Sequence, residues 1–177
     1  MGQVISNYSE QTVEARYQNY RRLAGEQARI RKQISEQAQA AYRNGNGRKA
    51  KELSNKAKEH YKEMEKYNKM AAEFIYRENN KNRSYQELDL HGLFVTEALE
   101  YTEQRIQYCK SMKAKNLVII VGKGNHSIGG VSKLKPAVAE LINKYQIRCT
   151  PNRPNPGCLF LEFDQGKGDL SWFDRLF

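Results

Sequence analysis

The sequence predicts a long α-helical hairpin followed by an α/β domain with element order β-α-β-α-β-β, a two-layer sandwich around a mixed four-stranded sheet. Three observations carry that expectation. Residues 10–44 and 48–79 contain no proline and repeat apolar side chains at three- and four-residue steps. The turn-forming stretch NGNG, residues 44–47, separates them. After the polar link NNKNR, residues 79–83, the pattern changes to short alternating or β-branched runs with helical segments between them. The expected organisation is a disordered start at 1–9, a basic helical extension at 10–84, the α/β domain at 85–164 and a tail at 165–177.

In the first helix Tyr17, Tyr20, Ala24, Ala28, Ile30, Ile34, Ala38 and Ala41 form the apolar stripe, and in the second Leu53, Ala57, Tyr61, Met64, Ala71, Phe74 and Ile75. The two glycines of NGNG suit a left-handed C-cap and a tight turn, so the helices should pack antiparallel. YQELDLHG then alternates as a strand, placing Leu88 and Leu90 on one side and Asp89 and His91 on the other. Residues 95–112 return to helical spacing. LVIIV, residues 117–121, has the continuous apolar character of a strand buried on both faces. The glycine-rich stretch GKGNHSIGG follows as a loop, and VSKLKPAVAELINKY as a helix that tolerates Pro136 in its opening turns. IRCTPN and CLFLEF are two strands joined by the Pro/Gly turn RPNPG. The tail ends in a cluster of Trp172, Phe173, Leu176 and Phe177, expected to pack back on the chain.

A formal net charge of +10 across 177 residues, with 30 Lys+Arg against 20 Asp+Glu, points to a polyanionic partner, nucleic acid first. The excess is uneven. Residues 1–84 carry 18 basic against 10 acidic residues, and residues 85–177 carry 12 against 10. A mean hydropathy of −0.85 and the lack of a long apolar run exclude a membrane-spanning helix. Cys109, Cys149 and Cys158 fit neither a disulfide framework nor a CxxC metal spacing, and the start lacks a secretory core segment, so cytosol or nucleus is the expected compartment. MGQVIS matches the pattern for myristoylation of Gly2, which would add weak peripheral membrane association.

The chemistry-bearing residues converge by topology. Asp89 and His91 lie at the carboxyl end of one strand, and GKGNHS leaves a neighbouring parallel strand at the same edge, where α/β folds place ligands. Lys123, Asn125 and His126 can therefore meet Asp89 and His91. Gly122 and Gly124 admit close backbone approach, and the helix after the loop directs its N-terminal amides toward it. A carboxylate, two imidazoles, a lysine and backbone donors suffice for phosphodiester chemistry on RNA. One imidazole would accept the 2′-hydroxyl proton, another group would protonate the leaving oxygen, and Lys123 would stabilise the phosphorane, with no metal or cofactor required. An isolated Asp-x-His supplies only two metal ligands. GKG lacks the spacing of a P-loop. His60 stands apart on the second helix and is expected to be a surface or packing residue.

LDLHG at 88–92, VGKGNHSIGGVSKLKPAV at 121–138 and NPGCLFLEF at 155–163 resemble the three signature blocks of the Smr (small MutS-related) domain, in its eukaryotic form. The helical region before them is similar to the extension that precedes this domain in many eukaryotic proteins. The resemblance implies a fold like the C-terminal domain of bacterial translation initiation factor three. It also implies nuclease activity on RNA or DNA, including cleavage of mRNA at stalled ribosomes. By that resemblance Asp89 and His91 match the catalytic Asp-x-His, Lys123 and Gly124 match the G-x-G loop, and Lys135 or Arg153 would hold phosphates. Lys133, Asn125 and Ser127 complete the expected nucleic-acid-binding set. Lysine at 123 stands where close relatives commonly have arginine, which keeps the charge without the bidentate grip.

Overall fold

The structure, a computed structural model, describes the backbone of residues 2–122 and 133–163, with side chains from residue 12 onward. The chain divides between Glu78 and Asn79 into two compact units.

The first unit is a helical hairpin of α1 (Gly2–Arg43) and α2 (Gly47–Asn80). Gly45 takes φ +75°, Asn46 N–H donates to the Ala41 carbonyl at 2.9 Å, and Gly45 N–H donates to that of Tyr42 at 3.0 Å. This is a Schellman closure, and Asn46 then caps α2 by accepting from the Lys49 amide at 3.1 Å. The helices run antiparallel: Tyr20 meets Phe74 edge-on at 6.2 Å, and the Arg21 guanidinium donates to Asn68 Oδ1 at 2.9 Å. Alanine dominates the seam, with Ala24, Ala38, Ala41, Ala50, Ala57, Ala71 and Ala72 all buried beside Tyr17, Ile34 and Ile75. His60 bonds across the seam to Gln27 Oε1 at 2.7 Å, a packing role.

One expectation changes here. Tyr61, placed on the buried stripe by spacing, is 44% exposed and lies under the Arg31 guanidinium at 5.1 Å. Because a methyl group added at Gly45 would meet open space, replacement of this residue acts through the backbone alone. Gly45→Ala should cost about 1–2 kcal/mol from the left-handed conformation. Thermal unfolding followed by circular dichroism checks this.

The second unit contains β1 (Glu87–Asp89), α3 (Val95–Ser111), β2 (Asn116–Ile120), α4 (Leu134–Lys144), β3 (Arg148–Pro151) and β4 (Cys158–Glu162). The sheet order is β1-β2-β4-β3, with β1 parallel to β2 and the other neighbours antiparallel. This is the mixed four-stranded sheet expected from the sequence. Helices α3 and α4 pack on each other and on the sheet. Between them and the strands sits a core of Leu88, Leu90, Ile106, Leu117, Ile119, Val138, Ile142, Leu159 and Leu161, all without exposed surface. In β2, Leu117 and Ile119 are buried while Val118 and Ile120 are half-buried. LVIIV is thus covered more fully on one face than on the other, correcting the expectation of two equally buried faces. Strands β3 and β4 form the expected hairpin, whose connecting turn contains a cis Arg153–Pro154 peptide. The cysteines are free thiols, with Cys109 and Cys158 buried. Among the described residues no helix is long and apolar enough to cross a membrane.

Candidate active site at the carboxyl edge of the sheet

Strands β1 and β2 are parallel with Asp89 opposite Ile120, so both end at one edge of the sheet. The Leu90 amide continues the ladder to the Ile120 carbonyl at 2.9 Å. β4 begins at the same edge, opposite Ile120, and the amides of Val121 and Gly122 donate to Gly157 O at 2.9 and 3.2 Å. β3 leaves there through Asn152, whose amide donates to Cys158 O at 2.9 Å. Strand direction brings Asp89 and the residues just past the strand ends, His91, Gly122, Asn152 and Arg153, to this one lip.

The order of LDLHG has a local reason. The Leu93 amide donates to Leu90 O at 3.2 Å across a turn in which Gly92 takes φ +80°. That backbone is open to glycine and strained for other residues, and it returns His91 toward the strand end. Partner residues on adjacent strands share a face, so Leu88, Ile119 and Leu159 face the helices, while Asp89 and Ile120 register on the opposite face with Val118 and Phe160.

Asp89 is 2% exposed, yet both carboxylate oxygens are satisfied. Oδ1 accepts from the His91 amide at 3.1 Å and lies 2.6 Å from His91 Nδ1, and Oδ2 accepts from Arg83 Nη2 at 2.6 Å. Its backbone is held as well. Asn80 Oδ1 accepts the Asp89 amide and Asn80 Nδ2 donates to the Asp89 carbonyl, both at 2.9 Å, so one side chain imitates a paired strand residue. Asn79 Nδ2 donates to the His91 carbonyl at 2.9 Å. Burial pushes the Asp89 carboxyl up, but the hydrogen bonds and charge of His91 with the Arg83 guanidinium outweigh it and hold the group below its ordinary value.

A carboxylate held in that state accepts from Nδ1–H and fixes the imidazole tautomer with the proton on Nδ1. The second ring nitrogen, Nε2, then carries the lone pair, on a side chain 57% exposed. An imidazole oriented in this way can accept a proton through Nε2. Because the folded pKa of Asp89 lies below the unfolded value, its ion contributes stability that is present above about pH 4 and is lost as pH falls through the folded value. Asp89→Asn should therefore flatten the acid side of the stability profile, read from urea midpoints between about pH 2 and 5.

The remaining sequence candidates divide. Arg153 lies near the edge with its guanidinium 4.3 Å over the Phe160 ring, on the Asp89 face of the sheet by register. Lys135, in the first turn of α4, donates to Asn152 Oδ1 and to Pro156 O at 2.9 Å, fastening that helix to the β3–β4 turn. Lys133 is exposed at the N-cap of α4. Gly122 closes β2 with φ +75°. Lys123, Gly124, Asn125, His126 and Ser127 lie outside the described residues, as does the aromatic tail. Gly2 is the first residue of α1. Sequence reasoning missed Arg83, Asn79 and Asn80, which lie in or beside the stretch expected to be a polar link. The only available signal was their closeness to Asp89 along the chain.

The Smr domain family matches residues 88–153, and a domain of unknown function (DUF1771) matches residues 17–80. Endonuclease NBR9 of Saccharomyces cerevisiae is 42% identical over 158 residues, covering 89% of this chain and 65% of that protein. The Smr domain-containing protein C11H11.03c of Schizosaccharomyces pombe is 41% identical over 132 residues, covering 75% of this chain and 64% of that protein. This chain thus spans just under two thirds of the length of both relatives. Among solved structures, the solution structure of the B3BP Smr domain is 36% identical and covers 55% of this chain and 96% of that one, with a TM-score of 0.43. The signature residues at the strand ends and the two matched regions in this order agree: the chain belongs to the Smr-domain proteins, with a DUF1771 region preceding the domain.

Proposed function

We propose that the protein is an endonuclease that cleaves RNA by attack of the 2′-hydroxyl on the adjacent phosphate, without a metal ion. The observation that carries this is the buried, ionised Asp89 bound to Nδ1 of an exposed His91. His91 Nε2 takes the 2′-hydroxyl proton as the ribose oxygen attacks phosphorus. The phosphorane, its charge offset by Lys123, collapses to a 2′,3′-cyclic phosphate, and the departing 5′-oxygen is protonated by a second acid, for which His126 is the candidate. Arg153 and Lys133 supply positive charge for the flanking phosphates. Asp89 works here as the orienting group of His91 rather than as a metal ligand, since both its oxygens already accept from His91 and Arg83. The name of the relative Endonuclease NBR9 agrees with phosphodiester cleavage, and stalled-ribosome mRNA is the substrate setting that the Smr resemblance suggests. Incubating the full chain in EDTA with matched single-stranded RNA and DNA tests the proposal: RNA should be cut and DNA left intact. Cleavage of both at equal rates would replace it with a DNA-nicking hydrolase.

A second function is favoured by the charge excess in residues 1–84. In it the hairpin supplies affinity for RNA or a ribosomal surface, and the domain holds rather than cuts. Glutamine in place of Arg16, Lys32, Lys49 and Lys56 in the full chain should then flatten the log-log salt dependence of RNA binding by about 0.7 for each phosphate no longer neutralised. An unchanged slope in fluorescence anisotropy would assign RNA affinity to the α/β domain.

A further inference from the structure

Near its closed end the hairpin carries a feature with no part in the sheet-edge chemistry. An open groove of about 900 Å³ runs between α1 and α2. Its floor includes the buried Ala38, Ala50 and Ala57, and Tyr42 and Tyr61 stand in its walls, 76% and 44% exposed. The lining extends from Arg31 to Arg43 on α1 and from Gly47 to Tyr61 on α2. At 1.5 Å per residue this is about 20 Å, the length of three to four helical turns. Arg31, Arg43, Lys51 and Lys58 also line it, and no acidic residue does. None of these four cations has an acidic partner among the described residues.

We propose that this groove binds an acidic amphipathic helix of a partner protein. Such a helix would lay apolar side chains spaced i, i+3, i+4 and i+7 on the alanine floor and set carboxylates against the four cations. The small floor residues allow a helix close to the seam, and the single sign of the rim selects the charge of the partner. Single-stranded RNA fits less well. The Arg31 guanidinium already lies over the Tyr61 ring, and the buried alanines between the cations are apolar surface that a phosphate backbone would leave unused.

The test uses the full chain and a fluorescein-labelled peptide of about sixteen residues, with leucines at that spacing and glutamates between them. A scrambled peptide of equal composition and a single-stranded RNA of similar charge serve as controls. Saturable binding is expected for the patterned peptide, and about tenfold weaker binding for the scrambled one. Lys51→Glu with Lys58→Glu should weaken the patterned peptide about tenfold. Both positions are exposed, and far-ultraviolet circular dichroism checks that the hairpin remains folded. Equal binding of both peptides, or indifference to the double charge reversal, overturns the proposal. Tighter binding of RNA than of the patterned peptide, abolished by the same reversal, also overturns it and makes the groove a nucleic-acid site. RNA cleavage by the charge-reversed chain, measured in parallel, keeps this outcome separate from that of the sheet-edge site.

Discussion

His91→Ala is expected to lower the rate of RNA cleavage by about 10²- to 10⁴-fold, the usual worth of a positioned general base. Removing the ring also takes the 2.6 Å partner from Oδ1 of the buried Asp89, so a stability loss of about 1.5–3 kcal/mol should accompany the loss of rate, and the rates are compared where both chains are folded. Asp89→Asn should reduce the rate over a similar range for a different reason. An amide in place of the carboxylate can present a donor to Nδ1 and no longer offsets the charge of a protonated imidazole. The two effects should be strongly non-additive, because each substitution disables the same proton acceptor. Single-turnover cleavage of a labelled RNA by the two single variants and the double variant measures all three.

Arg83→Leu carries the second large effect, and it falls on both stability and rate. The guanidinium is the partner of Oδ2 on a carboxylate whose side chain is 3% exposed. Leucine cannot donate, so Asp89 keeps only its bonds to His91 on Oδ1 and becomes under-satisfied in a dry setting. The expected loss is about 1.5–3 kcal/mol of stability, the range for hydrogen bonds to charged groups, together with about 10- to 100-fold in cleavage rate as the carboxylate loses its fixed orientation. Burial would then raise the Asp89 carboxyl with less opposition, so acid sensitivity should begin at higher pH than in the native chain. Arg83→Lys is the discriminating variant. It retains the charge but not the planar geometry, and should recover stability more fully than rate. Urea unfolding and single-turnover kinetics on the same preparations separate the two contributions.

The order and direction of the elements were legible in the sequence because each depends on local pattern. Proline-free three- and four-residue spacing marked α1 and α2, and NGNG supplied the positive-φ glycine at residue 45 on which the hairpin closes. The shared edge of Asp89 and Gly122 followed from β1 and β2 being parallel. How Asp89 and His91 meet was not legible in the same way. Strand alternation put both on one face, but β1 ends at Asp89, and the meeting is made by a turn around Gly92 that folds the His91 amide and ring onto one oxygen. Composition also could not show that LVIIV is covered unequally, because valine and isoleucine suit a half-buried face as well as a closed one. Arg83 and Asn80 were invisible for a further reason: nothing in NNKNR distinguishes a polar side chain that turns in to a buried carboxylate from one that stays in water. That choice is fixed by the path of the chain from α2 into β1.

One RNA substrate tests the central claim most directly: an oligonucleotide carrying a single 2′-deoxy nucleotide at its preferred cleavage position, incubated with the full chain in EDTA. Attack by the neighbouring 2′-hydroxyl predicts that this position is not cut, while the all-ribose oligonucleotide yields a 2′,3′-cyclic phosphate end there. Cleavage of the 2′-deoxy substrate at the unmodified rate would show that water or another nucleophile attacks phosphorus, and would contradict the role given to His91.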